Sequence, residues 1–137
     1  MRLAFCTAVL LSLSTAANAC ERLRDFQFAS GTSAGEIQGA VARGETACFV
    51  LRARAGQTMD VRLTAPERNA VLQAYEPGWR RTRLDGLTEI EGKPLPGTEQ
   101  GQDARAWSGQ LPSNGAYLLV IGATRGGAEY RLNLAIR

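Results

Sequence analysis

The chain contains no histidine. That absence removes Ser-His-Asp and Cys-His catalysis, most zinc sites and most general-base arrangements, all of which depend on an imidazole. Internal repeats and heptads are also missing. No window sustains three turns of 3.6-residue periodicity, so helix is expected to be nearly absent. Charge of one sign is scarce: 16 basic residues face 13 acidic ones, a net charge of +3. Nucleic acid is not an expected partner, because it calls for a strongly basic face. The one long apolar run, Leu3 to Leu13, is broken by Thr7 and Ser12 and falls short of the roughly 20 residues that a transmembrane helix needs.

That run follows Arg2 and precedes Ala17-Asn18-Ala19, a small-x-small cleavage pattern. Residues 1–19 therefore read as a signal peptide cut after Ala19, and the protein as periplasmic or secreted. Residues 20–137 then form a single domain, long enough to bury a core. Losing Arg2 lowers the net charge to +2, since the leader carries no acid. Of three cysteines, Cys6 leaves with the leader, while Cys20 and Cys48 remain. An even count in an oxidising compartment points to a Cys20–Cys48 disulfide. Lipid attachment at Cys20 is the competing reading, although Ala17 and Asn18 depart from the usual lipoprotein signal and Cys48 would be left unpaired.

Two-residue alternation dominates the rest. Tyr130, Leu132, Leu134 and Ile136 alternate with Glu129, Arg131, Asn133 and Ala135, the pattern of a half-buried strand. Ala116 to Ala123 is apolar on both parities and reads as a central strand covered on both faces. The two form a closing hairpin with Arg125 at its tip. Earlier strands are expected over Glu36–Val41, Thr46–Arg54, Thr58–Ala65 and Ala70–Tyr75. The second and third of these read as a hairpin joined by Ala55-Gly56-Gln57. Cys48 falls on the outer face of its strand, where an N-terminal arm, residues 20–35, could bring Cys20. Phe26 and Phe28 in that arm share a parity and fit either a short strand or a plug over the core edge. Residues 79–104 lack clear periodicity and read as a long loop, with one or two short strands around Arg81–Leu84 and Thr88–Ile90. About seven or eight short strands punctuated by Gly, Pro and Asn predict an all-β fold, a small antiparallel β-sandwich or jelly-roll-like barrel.

Little chemistry is available to such a chain. Ser108 lies in Trp107-Ser108-Gly109, which is not a nucleophile elbow. Asp85, Glu89 and Glu91 cluster in the long loop but match neither a calcium loop nor a set carboxylate geometry. No catalytic residue, metal or cofactor is expected. Recognition is better supplied, because Trp79-Arg80-Arg81-Thr82-Arg83 joins a large ring to three guanidiniums, the residue types that dominate binding hot spots. Tyr75 and Arg125 are further candidates for partner binding. The plainer alternative is a solvated basic segment with its Trp folded onto the sandwich edge. Trp107 reads as core or half-core.

RARAGQTMDVRL at Arg52 to Leu63, with WSGQLPSNGAYLLVIG and AEYRLNLAI near the C-terminus, resembles the small periplasmic inhibitors of g-type lysozyme. More distantly it is similar to bacterial pre-peptidase C-terminal domains, which share the strand, A-G-Q turn and G-x-Y strand order. The resemblance implies a non-enzymatic β-sandwich, monomeric or weakly dimeric, that blocks a lysozyme's substrate cleft with its loops. Arg125 stands at the position matching the family's binding loop. Binding of a carbohydrate or cell-envelope polymer is the alternative, and it asks for Tyr75, Trp79 and Trp107 on one exposed face.

Overall fold

The computed structural model describes residues 19–28 and 32–137, and among these it contains ten strands and no helix. In chain order they are β1 (Leu23–Asp25), β2 (Ala34–Val41), β3 (Ala47–Ala53), β4 (Thr58–Thr64), β5 (Ala70–Tyr75), β6 (Arg80–Leu84), β7 (Leu87–Glu91), β8 (Ala106–Gln110), β9 (Gly115–Ala123) and β10 (Ala128–Ile136). One sheet has the order β1-β3-β9-β5 and the other β2-β10-β4-β8, with β6–β7 a separate hairpin. The two sheets face each other across a shared core, so the fold is a β-sandwich and not a closed barrel. All but residue 19 of the expected leader lies outside the described residues.

The patterning explains which strand goes where. β10 buries Tyr130, Leu132, Leu134 and Ile136 in the core and turns its other parity outward. β9 lies between β3 and β5. Tyr117, Leu119 and Ile121 point into the main core, while Leu118 and Val120 join a second cluster with Cys20 and Cys48 on the sheet's outer face. Both parities of β9 are apolar because both faces are covered.

Two expected hairpins are not hairpins. β3 and β4 belong to different sheets, and so do β9 and β10. The Ala55-Gly56-Gln57 turn and residues 124–127 instead cross from one sheet to the other. A short glycine-bearing turn reverses the chain equally well in either case, so local sequence does not distinguish a hairpin from a crossing between sheets roughly 10 Å apart.

The stretch expected as a long loop holds the two short strands expected around Arg81–Leu84 and Thr88–Ile90, as β6 and β7, and the rest of it is packed structure as well. β6 pairs with β7, and Trp79 and Ile90 from this unit rest on the outer cluster beside Leu23, Val50 and Tyr75. Beyond it the chain runs along the otherwise open edge of β5. The Leu95 amide donates to the Ala74 carbonyl at 2.8 Å, and the Leu72 amide to the Ala104 carbonyl at 2.7 Å. Covering an edge in this way removes a row of unpaired backbone groups from solvent. The alternation was hidden because Gly, Pro and turn residues interrupt it every few positions. β6, β7 and the three-residue β1 raise the strand number above the seven or eight expected.

Thr98 anchors the edge-covering segment. It is fully buried, and its hydroxyl accepts from the Ala74 amide at 3.1 Å and lies 2.8 Å from the Leu95 carbonyl to which it donates. Thr98→Val keeps the shape but orphans the buried Ala74 amide, while the Leu95 carbonyl still accepts from the backbone amide of residue 98. It is expected to destabilise the fold by about 1–3 kcal/mol, read as a lower urea midpoint at unchanged slope.

The N-terminal arm does what its parity left undecided. Leu23, Arg24 and Asp25 pair in parallel with Cys48, Phe49 and Val50. Phe26 then enters the core at 6% exposure. Its ring lies over Gly35, where an added Cβ would meet it at 3.1 Å. The arm is thus a strand followed by a plug over the seam between the sheets. Cys20 and Cys48 are bonded, with their Cα atoms 5.4 Å apart. That bond occupies the sulfur that lipid attachment would require.

Candidate functional site

Strands in this sandwich run alternately up and down, so every second connection emerges at the same end. Val41 pairs with Ala128, Ala47 with Ile121, and Ala70 with Ala123. Connections 42–46, 65–69 and 124–127 therefore meet at one end. β1 starts there because it runs parallel to β3, and β8 starts near it because Ala106 pairs with Arg62 toward the end of β4. Arg43, Arg68 and Arg125 come from the three connections, Arg22 and Arg24 from the arm, and Arg105 from the residue before β8.

These six arginines share a second property. Elsewhere Arg80 pairs with Glu91, Arg131 with Glu36, Arg137 with Asp60, and Lys93 with Glu76, while Arg52, Arg54, Arg62, Arg81 and Arg83 make no ion pair with a described residue but are not gathered at this end. Among the described residues none of the six forms an ion pair with a carboxylate. Glu21, Glu45 and Glu67 lie in the same region, leaving cations in excess. Lys93 is the only lysine in the chain, so the side chains of this surface offer planar guanidinium forks and no lysine, which favours bidentate recognition of oxyanions.

Arg125 stands on a braced corner. Asn69 is 2% exposed, and its side-chain amide donates to the carbonyls of Arg125 and Gly127 at 3.1 and 3.0 Å. The Thr124 amide donates in turn to the Asn69 carbonyl at 2.8 Å. The Arg125 guanidinium touches the Glu67 carbonyl at 3.2 Å and otherwise faces outward. It borders two concavities. A smaller one of about 480 Å³ is shared with Glu67, Arg68, Arg105 and Thr124. The larger, about 1330 Å³, also takes in Arg22, Arg24 and Arg43.

The composition-based candidates lie elsewhere. Trp79 is half-buried against the outer cluster, and its indole donates to the Ala116 carbonyl at 2.9 Å, toward the opposite end from Arg125. Tyr75 joins the same cluster, its hydroxyl donates to Gln73, and burial raises its phenol pKa. Arg80 is held by Glu91 across the hairpin. Arg81 donates to the Cys20 and Glu21 carbonyls at 3.2 and 3.3 Å, clasping the arm. Trp107 packs on the main core from β8, and its indole donates to Pro96. The three rings therefore do not share one exposed face. Asp85, Glu89 and Glu91 are exposed on the hairpin. Among the described residues no group of three His, Cys, Asp or Glu could hold a metal ion, and no helix is long and apolar enough to cross a membrane.

Sequence reasoning named Arg125 but missed the other five arginines and Asn69. A signal was present, because Arg43, Arg68 and Arg125 each precede Gly or Asn in alternate turns. Counting strands up and down would have placed them together.

No protein-family model and no curated protein matches the chain. Solved structures do. The periplasmic inhibitor of g-type lysozyme from Aeromonas hydrophila aligns at 26% identity over 84% of this chain and 96% of its own, with a TM-score of 0.65. The corresponding inhibitor from Salmonella Typhimurium aligns at 18% identity over 85% and 98%, with a TM-score of 0.58. The pre-peptidase C-terminal domain of a Bacillus anthracis collagenase matches at 11% identity over 88% and 99%, with a TM-score of 0.50. The chain thus resembles the periplasmic inhibitors of g-type lysozyme along nearly their whole length, and shares its sandwich more distantly with a pre-peptidase C-terminal domain.

Proposed function

We propose that this protein is an exported, non-enzymatic inhibitor that seats its arginine-rich end in the substrate cleft of a lysozyme. The observation carrying this reading is the set of six guanidiniums without carboxylate partners, gathered at one end of a sandwich similar to the Aeromonas hydrophila inhibitor. A glycosidase cleft typically holds paired carboxylates. An arginine meets a carboxylate through two parallel hydrogen bonds, and a field of one sign speeds the encounter. The Asn69 brace limits the ordering cost of the Arg125 corner on binding. Absence of histidine supports a non-enzymatic role. The leader and the Cys20–Cys48 bond support a periplasmic or secreted location.

The test is titration of lysozyme activity with the oxidised protein, using g-type and c-type enzymes in parallel. Inhibition of the g-type enzyme is expected at micromolar concentration or below, weakening as salt screens the exposed guanidiniums. Full activity of both enzymes at micromolar protein would remove this reading.

A further inference from the structure

The larger concavity at the arginine-rich end has features that docking by Arg125 does not use. It lies in the side seam of the sandwich, where the edge of β1 faces the edge of β2, just beyond the Phe26 plug. Arg22 and Arg24 reach it from one sheet and Arg43 from the connection leaving the other.

Tyr130 lines this basin from β10. The residue is 5% exposed, yet its hydroxyl has no hydrogen-bond partner among the described residues. Among the described residues no fully enclosed side-chain nitrogen or oxygen lacks a partner, so this hydroxyl is open to the basin. Burial raises the phenol pKa, and the nearby Arg24 charge acts in the opposite sense. The group is a proton donor at neutral pH. Room for it comes from the residue opposite in register, Gly39, where an added Cβ would fall 2.5 Å from the phenol oxygen.

A hydroxyl donor recessed beside four guanidiniums, against the two carboxylates of Glu21 and Glu45, suits an oxyanion. The basin, at about 1330 Å³, exceeds the roughly 300–1,000 Å³ of small-ligand pockets and has room for a polymer segment with several anionic groups. Its rim offers no apolar hole to hold a peptide's hydrophobic anchor, and no exposed ring on which a neutral sugar would stack.

We propose that this basin binds a linear acidic polysaccharide, with one carboxylate or sulfate on the Tyr130 hydroxyl and Arg24, and neighbouring anionic groups on Arg22 and Arg43. The basin shares Arg22, Arg24, Arg43 and Arg125 with the inhibitory reading, and the Tyr130 hydroxyl is the group that reading does not use.

Isothermal titration of the oxidised full-length mature chain with alginate oligomers, low-molecular-weight heparin, poly-glutamate and neutral dextran tests it. Binding of alginate or heparin, but not dextran, is expected, and the tighter of the two names the oxyanion. Tyr130→Phe keeps the ring and should weaken binding about tenfold, the loss of one hydrogen bond to a charged group. Arg24→Ala with Arg43→Ala, both at exposed positions, should weaken it by at least that much, whereas Arg52→Ala with Arg54→Ala removes the same two charges toward the opposite end and should not. Equal binding by wild type and Tyr130→Phe, by wild type and the double arginine variant, or no binding to either acidic glycan overturns the proposal. Tighter binding of poly-glutamate than of both glycans overturns the choice of ligand. Because Tyr130 is not among the six arginines, Tyr130→Phe should weaken glycan binding with lysozyme inhibition intact, and equal weakening of both by this variant overturns the proposal.

Discussion

Replacing Cys20 and Cys48 together by alanine is expected to cost about 3–4 kcal/mol of stability, the chain-entropy value for releasing a loop of this length. The two residues are 28 apart in sequence. The bond joins an arm paired through only three residues of β1 to the interior of the first sheet. Both cysteines are almost wholly buried, packed with Leu118 and Val120 beneath Leu23, Trp79 and Ile90. Without the bond, β1 becomes a frayed terminus, and Arg81 loses the fixed carbonyls that it clasps. Guanidinium denaturation of the oxidised, reduced and double-alanine proteins should show the second and third falling together, well below the first. Brief trypsin digestion of the alanine variant should cut at Arg22 and Arg24 before any other site. A midpoint unchanged by reduction would show that the arm is held by packing alone.

Arg125→Ala is expected to weaken lysozyme inhibition by about 2–5 kcal/mol, the cost of truncating one partner of a desolvated charge pair. That corresponds to roughly 30-fold or more in the inhibition constant. The expectation follows from position, since Arg125 sits on the corner braced by Asn69 and borders both concavities. Arg80→Ala with Arg81→Ala is the informative contrast. Arg80 is engaged by Glu91 and Arg81 by the arm, so this pair should change inhibition by less than threefold, within the roughly 1 kcal/mol that an exposed ion pair is worth. Activity titrations against the g-type enzyme check both. Should the Arg80/Arg81 variant lose inhibition while Arg125→Ala retains it, the docking surface lies on the hairpin and not on the arginine-rich end.

Much of this molecule was legible in the chain. Alternation at Tyr130 to Ile136 set β10 half-buried, and the double apolar parity at Ala116 to Ala123 marked β9 as covered on both faces, because side chains on a strand have only two directions to point. Ala70–Tyr75 was bounded correctly since turn residues flank it on both sides. The cysteine count identified the disulfide. What failed was connection and cover. Ala55-Gly56-Gln57 and residues 124–127 read as hairpin turns but cross between sheets, and in residues 79–104 the two short strands were legible but not the edge cover that follows them. In each case the missing information is which distant strand lies alongside, a long-range property that no local period encodes.

The sequence by itself determined that this is an all-β protein without histidine chemistry, with two cysteines to pair beyond the expected leader, because composition and two-residue periodicity act locally. Only the tertiary structure decided where the charges meet. Arg22 and Arg24 lie together in the charged stretch Glu21 to Asp25, while Arg43, Arg68, Arg105 and Arg125 are scattered along the sequence. They share one end because antiparallel strands return every second connection to the same place, and they remain available because the carboxylates that could neutralise them are engaged with other cations or lie out of ion-pairing reach.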